Sequence, residues 1–172
     1  MIATSWKITL VTQPFEKPDD GTIHEYTQVQ YPDWGITVPM TGPDTLLLVH
    51  EFWQGVEQLG YSFPTGLEKF GETSTDAAHR ELEEETGYRA GTIRPIGRAW
   101  SNPRSSPSIV HIFAATECTA TGKRALDDGE DIEVVEVTVK EFWDLTKRGA
   151  VGSLSAHGAA LYAVAAGVLP PP

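Results

Sequence analysis

Residues 66–87 read GLEKFGETSTDAAHRELEEETG and carry the most specific pattern in the 172-residue chain. They match G-x5-E-x7-R-E-U-x-E-E-x-G at every position, where U is a bulky aliphatic residue. The side-chain oxygens of residues 73–75 are suited to capping a helix, and Asp76 places a negative charge in its first turn. Gly87 favours the left-handed conformation that ends a helix. The pattern therefore predicts a helix over residues 74–86.

Three glutamates of this helix share one face. With Glu81 as the reference, Glu85 lies at about +40° and Glu84 at about −60°, for a turn of about 100° per residue. Like charges at this spacing repel each other, and a divalent cation bound between them would reverse that cost. A solvated acidic face is the usual explanation of a charge run, but Glu72 and Arg80 at their fixed distances argue for a site. Arg80 lies one turn before Glu84 and can hold it by a charge-assisted hydrogen bond.

This stretch resembles the signature of the Nudix hydrolases, and residues 66–88 are called the loop-helix below. The resemblance implies an α/β fold of the Nudix type, an α/β/α sandwich with a mixed β-sheet. It also implies a Mg²⁺ or Mn²⁺ site on the helix and cleavage of the pyrophosphate bond in a nucleoside diphosphate linked to another group. Tyr88 stands at an aliphatic position of the family pattern, a mild departure in packing. Carried over by position, the metal ligands are Glu81, Glu84 and Glu85, the bracing pair is Arg80 and Glu72, and the glycines at the ends are Gly66 and Gly87.

The segments that flank the loop-helix are similar to those of the ADP-ribose and nucleotide-sugar pyrophosphatases of this family. Pro64-Thr65-Gly66 resembles their Pro-Ala-Gly. In that group the carbonyl at the Thr65 position also contacts metal, which makes Thr65 a fourth candidate ligand. Pro103 follows Gly87 at the distance at which the group tends to carry a proline. The resemblance therefore points to ADP-ribose or a related nucleotide sugar as substrate.

An acidic loop lies further along the chain. The segment LDDGEDIEV at residues 126–134 resembles the loop that supplies a late carboxylate in that group. A hydrolytic water needs a general base within one hydrogen bond, and Glu130 or Asp128 is the natural candidate. A polar turn is the alternative, because DDGED is favourable turn chemistry. The catalytic candidates are thus Glu130 and Asp128, together with Glu85 and Arg80 of the loop-helix.

Several substrate-recognition positions depart from the ADP-ribose pattern. Trp53 stands where the group commonly has an arginine, and Ser62 stands where it has a glutamate. The loop at residues 101–108 lacks an acidic residue after its proline, although Arg104 can meet a phosphate. Trp53 and Arg104 are therefore the substrate-binding candidates. The departures leave two alternatives open, a Nudix hydrolase of nucleoside triphosphates or of a non-nucleotide diphosphate, and a non-catalytic nucleotide-sugar sensor.

Composition narrows the class of protein further. With 40% apolar and 22% charged residues, the chain is expected to form one domain over residues 1–172. A net charge of −11 argues against a nucleic-acid polymer as partner, because phosphate backbones attract basic surfaces. The single Cys118 excludes a disulfide within the chain and fits a reducing, cytoplasmic compartment. The amino terminus lacks signal-peptide features, and the stretch AALYAVAAGVL is too short to span a bilayer, so no membrane partner is expected.

Strand-like and helix-like segments alternate along the chain. This order predicts helices packed on both sides of a mixed sheet. The run TLLLVHEF at residues 45–52 is apolar enough to be buried on both faces. The predicted strands are 6–12, 24–31, 34–41, 45–52, 92–100, 108–118 and 132–139. The predicted helices, in addition to that of the loop-helix, are 139–149 and 153–168.

Residues 1–40 are predicted to form N-terminal antiparallel strands. In the ADP-ribose group these strands build a homodimer and adenine binds near its interface, so the resemblance implies a homodimer here. Five histidines show no zinc spacing, and only His79, inside the loop-helix, lies near the proposed metal face. Aromatic side chains can stack on a nucleobase, with ordinary sheet packing as the alternative. Those in the N-terminal region are Trp6, Phe15, Tyr26, Tyr31 and Trp34.

Overall fold

The computed structural model describes residues 8–126 and 129–172. Trp6 and Asp128, both named above, lie outside the described residues. The strands are β1 (Thr9–Glu16), β2 (Ile23–Gln30), β3 (Trp34–Pro39), β4 (Thr45–Trp53), β5 (Gln58–Ser62), β6 (Thr65–Leu67), β7 (Tyr88–Arg89), β8 (Thr92–Trp100), β9 (Ile109–Thr116), β10 (Thr119–Ala120) and β11 (Ile132–Thr138). The helices are α1 (Ser74–Thr86), α2 (Val139–Lys147) and α3 (Leu154–Ala165).

Two sheets form the body of the molecule. The larger has the strand order β6-β3-β9-β8, in which β3 and β9 run parallel and the other pairs are antiparallel. The smaller is antiparallel with the order β11-β4-β5. A bridge between Met40 and Leu46 joins the end of β3 to the start of β4. The predicted mixed α/β architecture is confirmed, and the structure adds the division into two sheets.

Helices α1 and α3 cover opposite faces of the larger sheet. Successive side chains of a strand point to opposite faces. Ile112 of β9 belongs to a core cluster with Ala159 of α3, whereas Ala115 of the same strand packs with Leu82 of α1. The sheet is thus a central layer between two helical layers, and the helix of the loop-helix, α1, forms one of them.

Strand β4 is buried through its centre, as its apolar sequence predicts. Residues 46–49 are all at most 1% exposed, which means that side chains on both faces of the strand are covered. Strands β11 and β5 pair with its two edges within the smaller sheet. The carboxyl end of β4 emerges from this core at Glu51 and Trp53, next to the start of β11.

The two later helices agree closely with their predicted ranges. Thr138 begins α2 with a capping box, in which its side chain accepts from the Glu141 N–H and the Glu141 carboxylate accepts from the Thr138 N–H. The Ser153 hydroxyl caps α3 by accepting from the Ala156 N–H. Helix α3 ends before the three C-terminal prolines.

Five strand assignments differ from the prediction, among them the two-residue strands β7 and β10, which were not expected. Strands β5 and β6 were not expected, because their short sequences lack alternation and their conformation comes from pairing with β4 and β3. Strand β1 continues through Pro14 to Glu16, beyond its predicted end at residue 12. A proline has no N–H to donate, so within sheets it is tolerated in edge strands. Both strands of a two-stranded ribbon are edge strands.

Strands β1 and β2 form a hairpin that pairs with no other strand of the described chain. It is attached at one end, where the Val29 N–H donates to the Ser105 carbonyl at 2.8 Å and the hydroxyls of Tyr31 and Ser101 are 2.6 Å apart. Large apolar or aromatic side chains on it or next to it are exposed to solvent. They are Ile8, Leu10, Phe15, Ile23 and Tyr26.

Candidate active site

Helix α1 begins and ends where its sequence predicts. The Thr73 hydroxyl accepts from the Asp76 N–H at 3.1 Å, so Thr73 is the N-cap among the three candidates. Gly87 closes the helix with φ of 72°, and its N–H donates to the Glu83 carbonyl. The helix packs against β3 and β6.

Arg80 is the centre of the polar network in the loop-helix. Its Nε and Nη2 donate to the two carboxylate oxygens of Glu72, each at 2.8 Å, and Nη2 also donates to the Leu67 carbonyl at 3.1 Å. Its Nη1 donates to Glu81 at 2.5 Å and to Glu84 at 2.9 Å. These bonds hold the pKa of Glu72 below its ordinary value and raise the pKa of Arg80, so this ion pair stays charged at neutral pH.

Glu81 lies directly over the glycine that opens the loop-helix. A Cβ atom added to Gly66 would lie 1.9 Å from the Glu81 carboxyl carbon, so no other residue fits at position 66 without displacing that carboxylate. Burial raises the pKa of Glu81, although Arg80 opposes the shift. The glycine of the pattern is thus required for close approach as well as for shaping the loop.

Glu85 is the most deeply buried carboxylate of the site, with 5% of its surface exposed. It accepts one hydrogen bond from the Thr65 N–H at 3.3 Å. Burial raises its pKa well above the ordinary value, and the charges of Glu81, Glu51 and Glu130 raise it further. A buried carboxylate surrounded by other carboxylates favours the binding of a cation.

The acidic loop brings Glu130 to this group. Glu130 lines the same cleft as Glu81 and Thr65, and its charge acts on Glu85. Asp128, the other candidate base, lies outside the described residues. Arg124 links α1 to the start of β11, because its Nε donates to the Glu85 carbonyl at 3.1 Å and its Nη2 donates to the Ile132 carbonyl at 2.5 Å.

The structure adds one carboxylate that sequence reasoning missed. Glu51 lies at the end of β4 opposite Ile132 of β11, and its charge contributes to the raised pKa of Glu85. It accepts a hydrogen bond from the Trp53 indole at 3.0 Å. The sequence shows only that Glu51 lies at the end of a buried strand. It does not reveal the register that brings β4 beside β11.

The donor set suits a divalent cation of the magnesium type. Such ions prefer carboxylate and carbonyl oxygens, which Glu81, Glu84, Glu85 and Thr65 supply. Among the residues that the structure describes, no three acidic, histidine or cysteine side chains already converge on a common metal position. The reason is that Arg80 turns Glu81 and Glu84 towards itself. The buried, mutually repelling carboxylates around Glu85 nevertheless fit a cation in charge and in chemistry.

The cleft beside these carboxylates has a volume of about 830 Å³. Thr65, Glu81 and Glu130 lie on its wall, and three aromatic side chains, those of Tyr31, Trp34 and Phe70, also line it. Phe70 is fully exposed at this surface. Its remaining lining residues are Pro32, Gly66, Leu67, Glu68, Lys69 and Ser101.

The two substrate-binding candidates do not line this cleft. The Trp53 ring packs against Gly60 and Gly152, where an added Cβ would lie 2.2 Å and 2.7 Å from it. Arg104 lines a separate groove of about 330 Å³ between the hairpin and the β8–β9 loop, together with Tyr26. Their roles in substrate binding remain predictions.

Other flagged residues also lie apart from the cleft. His79 lines a third groove, beside Arg89 and Lys123, and Glu84 lines this groove as well. Cys118 is buried, and burial raises the pKa of its thiol to about 12, which keeps it protonated and unreactive as a nucleophile. Ser62 is 5% exposed and sits in β5, paired with Val49 of β4.

Comparison with known proteins agrees with this geometry. The model of the NUDIX domain matches residues 32–155. The chain is 33% identical over 135 residues to an ADP-ribose pyrophosphatase of Bacillus subtilis, a match that covers 78% of this chain and 72% of that protein. It is 29% identical over 115 residues to the ADP-sugar pyrophosphatase of Mus musculus, covering 64% of this chain and 52% of that protein. It is also 32% identical over 107 residues to an ADP-ribose pyrophosphatase of Saccharomyces cerevisiae, covering 59% and 46%.

A solved structure described as an ADP compounds hydrolase superposes with a TM-score of 0.80 and covers 98% of this chain and 92% of that one. At 23% identity this likeness shows the fold alone. The chain belongs to the Nudix family and is a Nudix hydrolase. Members of this family generally use divalent metal ions. No helix in the described part of the chain is long and apolar enough to cross a membrane.

Proposed function

We propose that this enzyme hydrolyses the pyrophosphate bond of a nucleoside diphosphate linked to a sugar, with ADP-ribose or a related nucleotide sugar as substrate and Mg²⁺ (or Mn²⁺) as cofactor. The observation that carries the proposal is that Glu81, Thr65 and Glu130 line one cleft, with the buried Glu85 beside them. Three relatives whose names specify ADP-ribose or ADP-sugars support the choice of substrate.

The metal would be held by Glu81, Glu84, Glu85 and the Thr65 carbonyl. When bound, it supplies a water of lowered pKa and neutralises charge on the leaving phosphate. The Thr65 N–H fixes the Glu85 carboxylate, and the Arg80 guanidinium fixes those of Glu81 and Glu84. Because these groups are partly or fully shielded from water, their charges act more strongly on a bound diphosphate than they would in solvent.

Glu130 is the general base in this proposal, and Asp128 is the alternative. Glu130 is exposed where it lines the cleft, so it can accept a proton from an attacking water and release it to solvent. Arg124 positions this part of the chain against the end of α1 through its bonds to the carbonyls of Glu85 and Ile132. Glu130 lies near enough to Glu85 for its charge to act on that carboxylate.

The nucleoside would occupy the aromatic part of the cleft. Tyr31, Trp34 and Phe70 offer ring faces, and stacking on such faces tolerates different bases. The Lys69 ammonium, exposed at the same cleft, is placed to meet a phosphate. In this proposal the nucleoside lies beside the aromatic side chains and the diphosphate lies beside the carboxylates.

A Nudix hydrolase of nucleoside triphosphates, or of a non-nucleotide diphosphate, is the second candidate. Trp53 replaces an expected arginine and packs on two glycines, and Ser62 replaces an expected glutamate and is buried. Neither residue presents a charge to the cleft, which favours a substrate different from that of the group. A non-catalytic sensor is the third candidate, and the retention of Glu81, Glu84 and Glu85 argues against it.

We also propose that the protein is a homodimer that works in the cytoplasm. The hairpin exposes several large apolar side chains, and a two-stranded ribbon has unpaired edges that favour association. The chain has one cysteine, and it is a buried free thiol, as in proteins of reducing compartments. Neither argument depends on the identity of the substrate.

The deciding experiment is phosphate release, coupled to a phosphatase, from ADP-ribose, a UDP-sugar, a GDP-sugar, a dinucleoside polyphosphate and dGTP. Each assay is run with Mg²⁺ or Mn²⁺, and Glu85→Gln is the control. We expect turnover of ADP-ribose that the variant loses. Activity confined to the UDP-sugar or the GDP-sugar would make a related nucleotide sugar the substrate, and activity confined to dGTP or the dinucleoside polyphosphate would favour the second candidate. Ligand binding without turnover would support a sensor.

A further inference from the structure

A carboxylate outside the loop-helix faces the metal carboxylates from the smaller sheet. Leu46 and Leu48 of β4 belong to the core cluster that contains Phe142 of α2. Because successive side chains of a strand point to opposite faces, Glu51 projects from the face opposite to these leucines. Helix α1 contacts both β4 and β11, and the charge of Glu51 acts on Glu85 of that helix. Glu51 therefore lies on the α1 side of the smaller sheet.

Trp53 holds Glu51 in a fixed position. In the strand register, Glu51 is opposite Gly60 of β5 and Ile132 of β11. The Trp53 ring lies over Gly60 and Gly152, where an added Cβ would be 2.2 Å and 2.7 Å from it, so the two glycines make room for the ring. From this position the indole Nε1–H donates to the Glu51 carboxylate at 3.0 Å. The packing of the ring thus fixes the direction of the carboxylate.

The indole orients this carboxylate without cancelling its charge. The N–H of a neutral ring donates a hydrogen bond and adds no positive charge. Within the described residues, Glu51 forms no ion pair with a lysine, arginine or histidine. Glu133, next to Ile132 but on the other face of the sheet, differs because the His50 Nδ1 lies 3.3 Å from its carboxylate. Glu51 therefore brings a negative charge to the α1 side that no neighbouring cation offsets.

This charge is unfavourable in the absence of a bound cation. Glu85 is 5% exposed, and the charges of Glu51, Glu81 and Glu130 all act on it. Like charges repel each other more strongly near a shielded group than in water, because water screens them less. A glutamine at position 51 would accept the same indole hydrogen bond without the repulsion, so holding the ring does not require a carboxylate. A divalent cation held by Glu85 would turn the effect of Glu51 from repulsion into attraction.

We propose that Glu51 is a further carboxylate of the divalent-cation centre around Glu85, that its charge raises the affinity of this centre for the cation, and that Trp53 is its positioning residue. Glu51 acts through its charge, so it does not have to reach the cleft or touch the substrate. The proposal rests on the metal centre of the proposed function and is independent of which diphosphate is hydrolysed.

The first test measures binding of Mn²⁺ in the absence of substrate, from the paramagnetic resonance signal of the free ion. Glu51→Gln keeps the size of the side chain and its acceptor for the indole, and removes the charge. We expect its Kd for Mn²⁺ to rise about tenfold, because the charge acts on a divalent ion in a shielded site. The measurement needs no turnover, so its result stands whichever substrate the enzyme proves to hydrolyse.

Two variants make this measurement specific. Glu133→Gln removes a carboxylate next to Ile132 but on the opposite face of the sheet, and should leave the Kd for Mn²⁺ unchanged. Glu81→Gln removes a proposed ligand and should weaken binding more than Glu51→Gln does. An unchanged Kd in Glu51→Gln with a loss in Glu81→Gln would overturn this inference and leave the metal centre intact. A wild type that binds no Mn²⁺ would overturn both.

The second test separates a role in cation binding from a role in the fold. We expect metal-free Glu51→Gln to unfold at a higher temperature than metal-free wild type, because the repulsion with Glu85 is relieved. Added Mg²⁺ should then raise the unfolding midpoint of the variant less than that of wild type, since the variant binds the ion more weakly. A variant that is less stable than wild type without metal, and gains as much from Mg²⁺, would make Glu51 a structural residue and refute the proposal.

The third test addresses Trp53. Trp53→Phe keeps an aromatic ring over the two glycines and loses the N–H that orients Glu51. We expect the Kd for Mn²⁺ to rise about threefold in this variant and to be unaffected by the same change in a Glu51→Gln background, because the two residues act as a unit. An equal rise in both backgrounds would show that Trp53 does not act through Glu51.

Discussion

The loop-helix and the β1–β2 hairpin are held in place by different interactions. The loop-helix is tied by a guanidinium that donates to three carboxylates and a carbonyl, and its helix packs on the central sheet. The hairpin depends on its own backbone ladder and on a few bonds at its base, and its apolar side chains face solvent. The loop-helix is complete within one chain, whereas the hairpin has the features of a surface that is completed by another molecule.

The largest effect is expected from Arg80→Ala. It leaves Glu72, Glu81 and Glu84 without their shared cation, and removing one partner of a largely buried ion network costs about 3–5 kcal/mol. Chemical denaturation should show this loss, together with loss of hydrolysis. Arg89→Ala is the matched control, because Arg89 pairs with Glu83 at the surface and should cost about 1 kcal/mol or less. Similar losses in both variants would mean that the Arg80 network does not organise the site.

Mg²⁺ should stabilise the loop-helix by a smaller amount. Binding to the folded state alone contributes about 2.7 kcal/mol when the metal is at 100 times its Kd. We expect the thermal unfolding midpoint to rise with added Mg²⁺ and to return after chelation. Glu81→Gln should weaken this shift. Glu83→Gln should not, because Glu83 lies on the same helix but pairs with Arg89. A shift that survives in Glu81→Gln would remove Glu81 from the ligand set.

Acid should weaken the loop-helix through Glu72. Its pKa is lower in the folded protein than in the unfolded chain, so its contribution to stability is present above the unfolded pKa of about 4.5 and is lost as the pH falls through the folded value. Denaturation without added metal, repeated between about pH 6 and pH 3, should show a shallower decline for Glu72→Gln than for wild type. Parallel curves for the two proteins would place the acid sensitivity elsewhere.

The smallest effect on stability is expected in the hairpin. Phe15→Glu and Ile23→Glu change exposed side chains and should alter the free energy of unfolding of the monomer by about 0.5 kcal/mol or less. Sedimentation should nevertheless show a dimeric wild type and a monomeric double variant if these side chains form the interface. Leu154→Glu, at an exposed position of α3, is the control and should leave the assembly unchanged. A wild-type monomer at micromolar concentration would contradict the dimer.

The same contrast explains what could be read from the sequence. The loop-helix was predictable because its signals are local, from the cap at Thr73 to the stop at Gly87, and because helical spacing places Glu81, Glu84 and Glu85 on one face. The buried strand β4 was predictable from its continuous apolar run. Each of these features is set by neighbours within the same element.

The remaining features depend on pairing between distant segments. Strands β5 and β6 exist because β4 and β3 offer them partners, and the sequence QLGYS of β5 carries no alternation of its own. Glu51 reaches the Glu85 site only through the register between β4 and β11. Trp53 packs on Gly60 and Gly152, a contact that no spacing along the chain reveals.

The contact between Gly66 and Glu81 limits how this protein can change by mutation. Because the glutamate side chain fills the volume that a side chain at position 66 would need, the two positions are a single spatial unit. A library randomised at both should retain folded members with a larger residue at 66 only where position 81 has become small, and those members would have lost the carboxylate. Any descendant of this protein that keeps the Glu81 carboxylate must therefore also keep a glycine at position 66, although the glycine itself bears no reactive group.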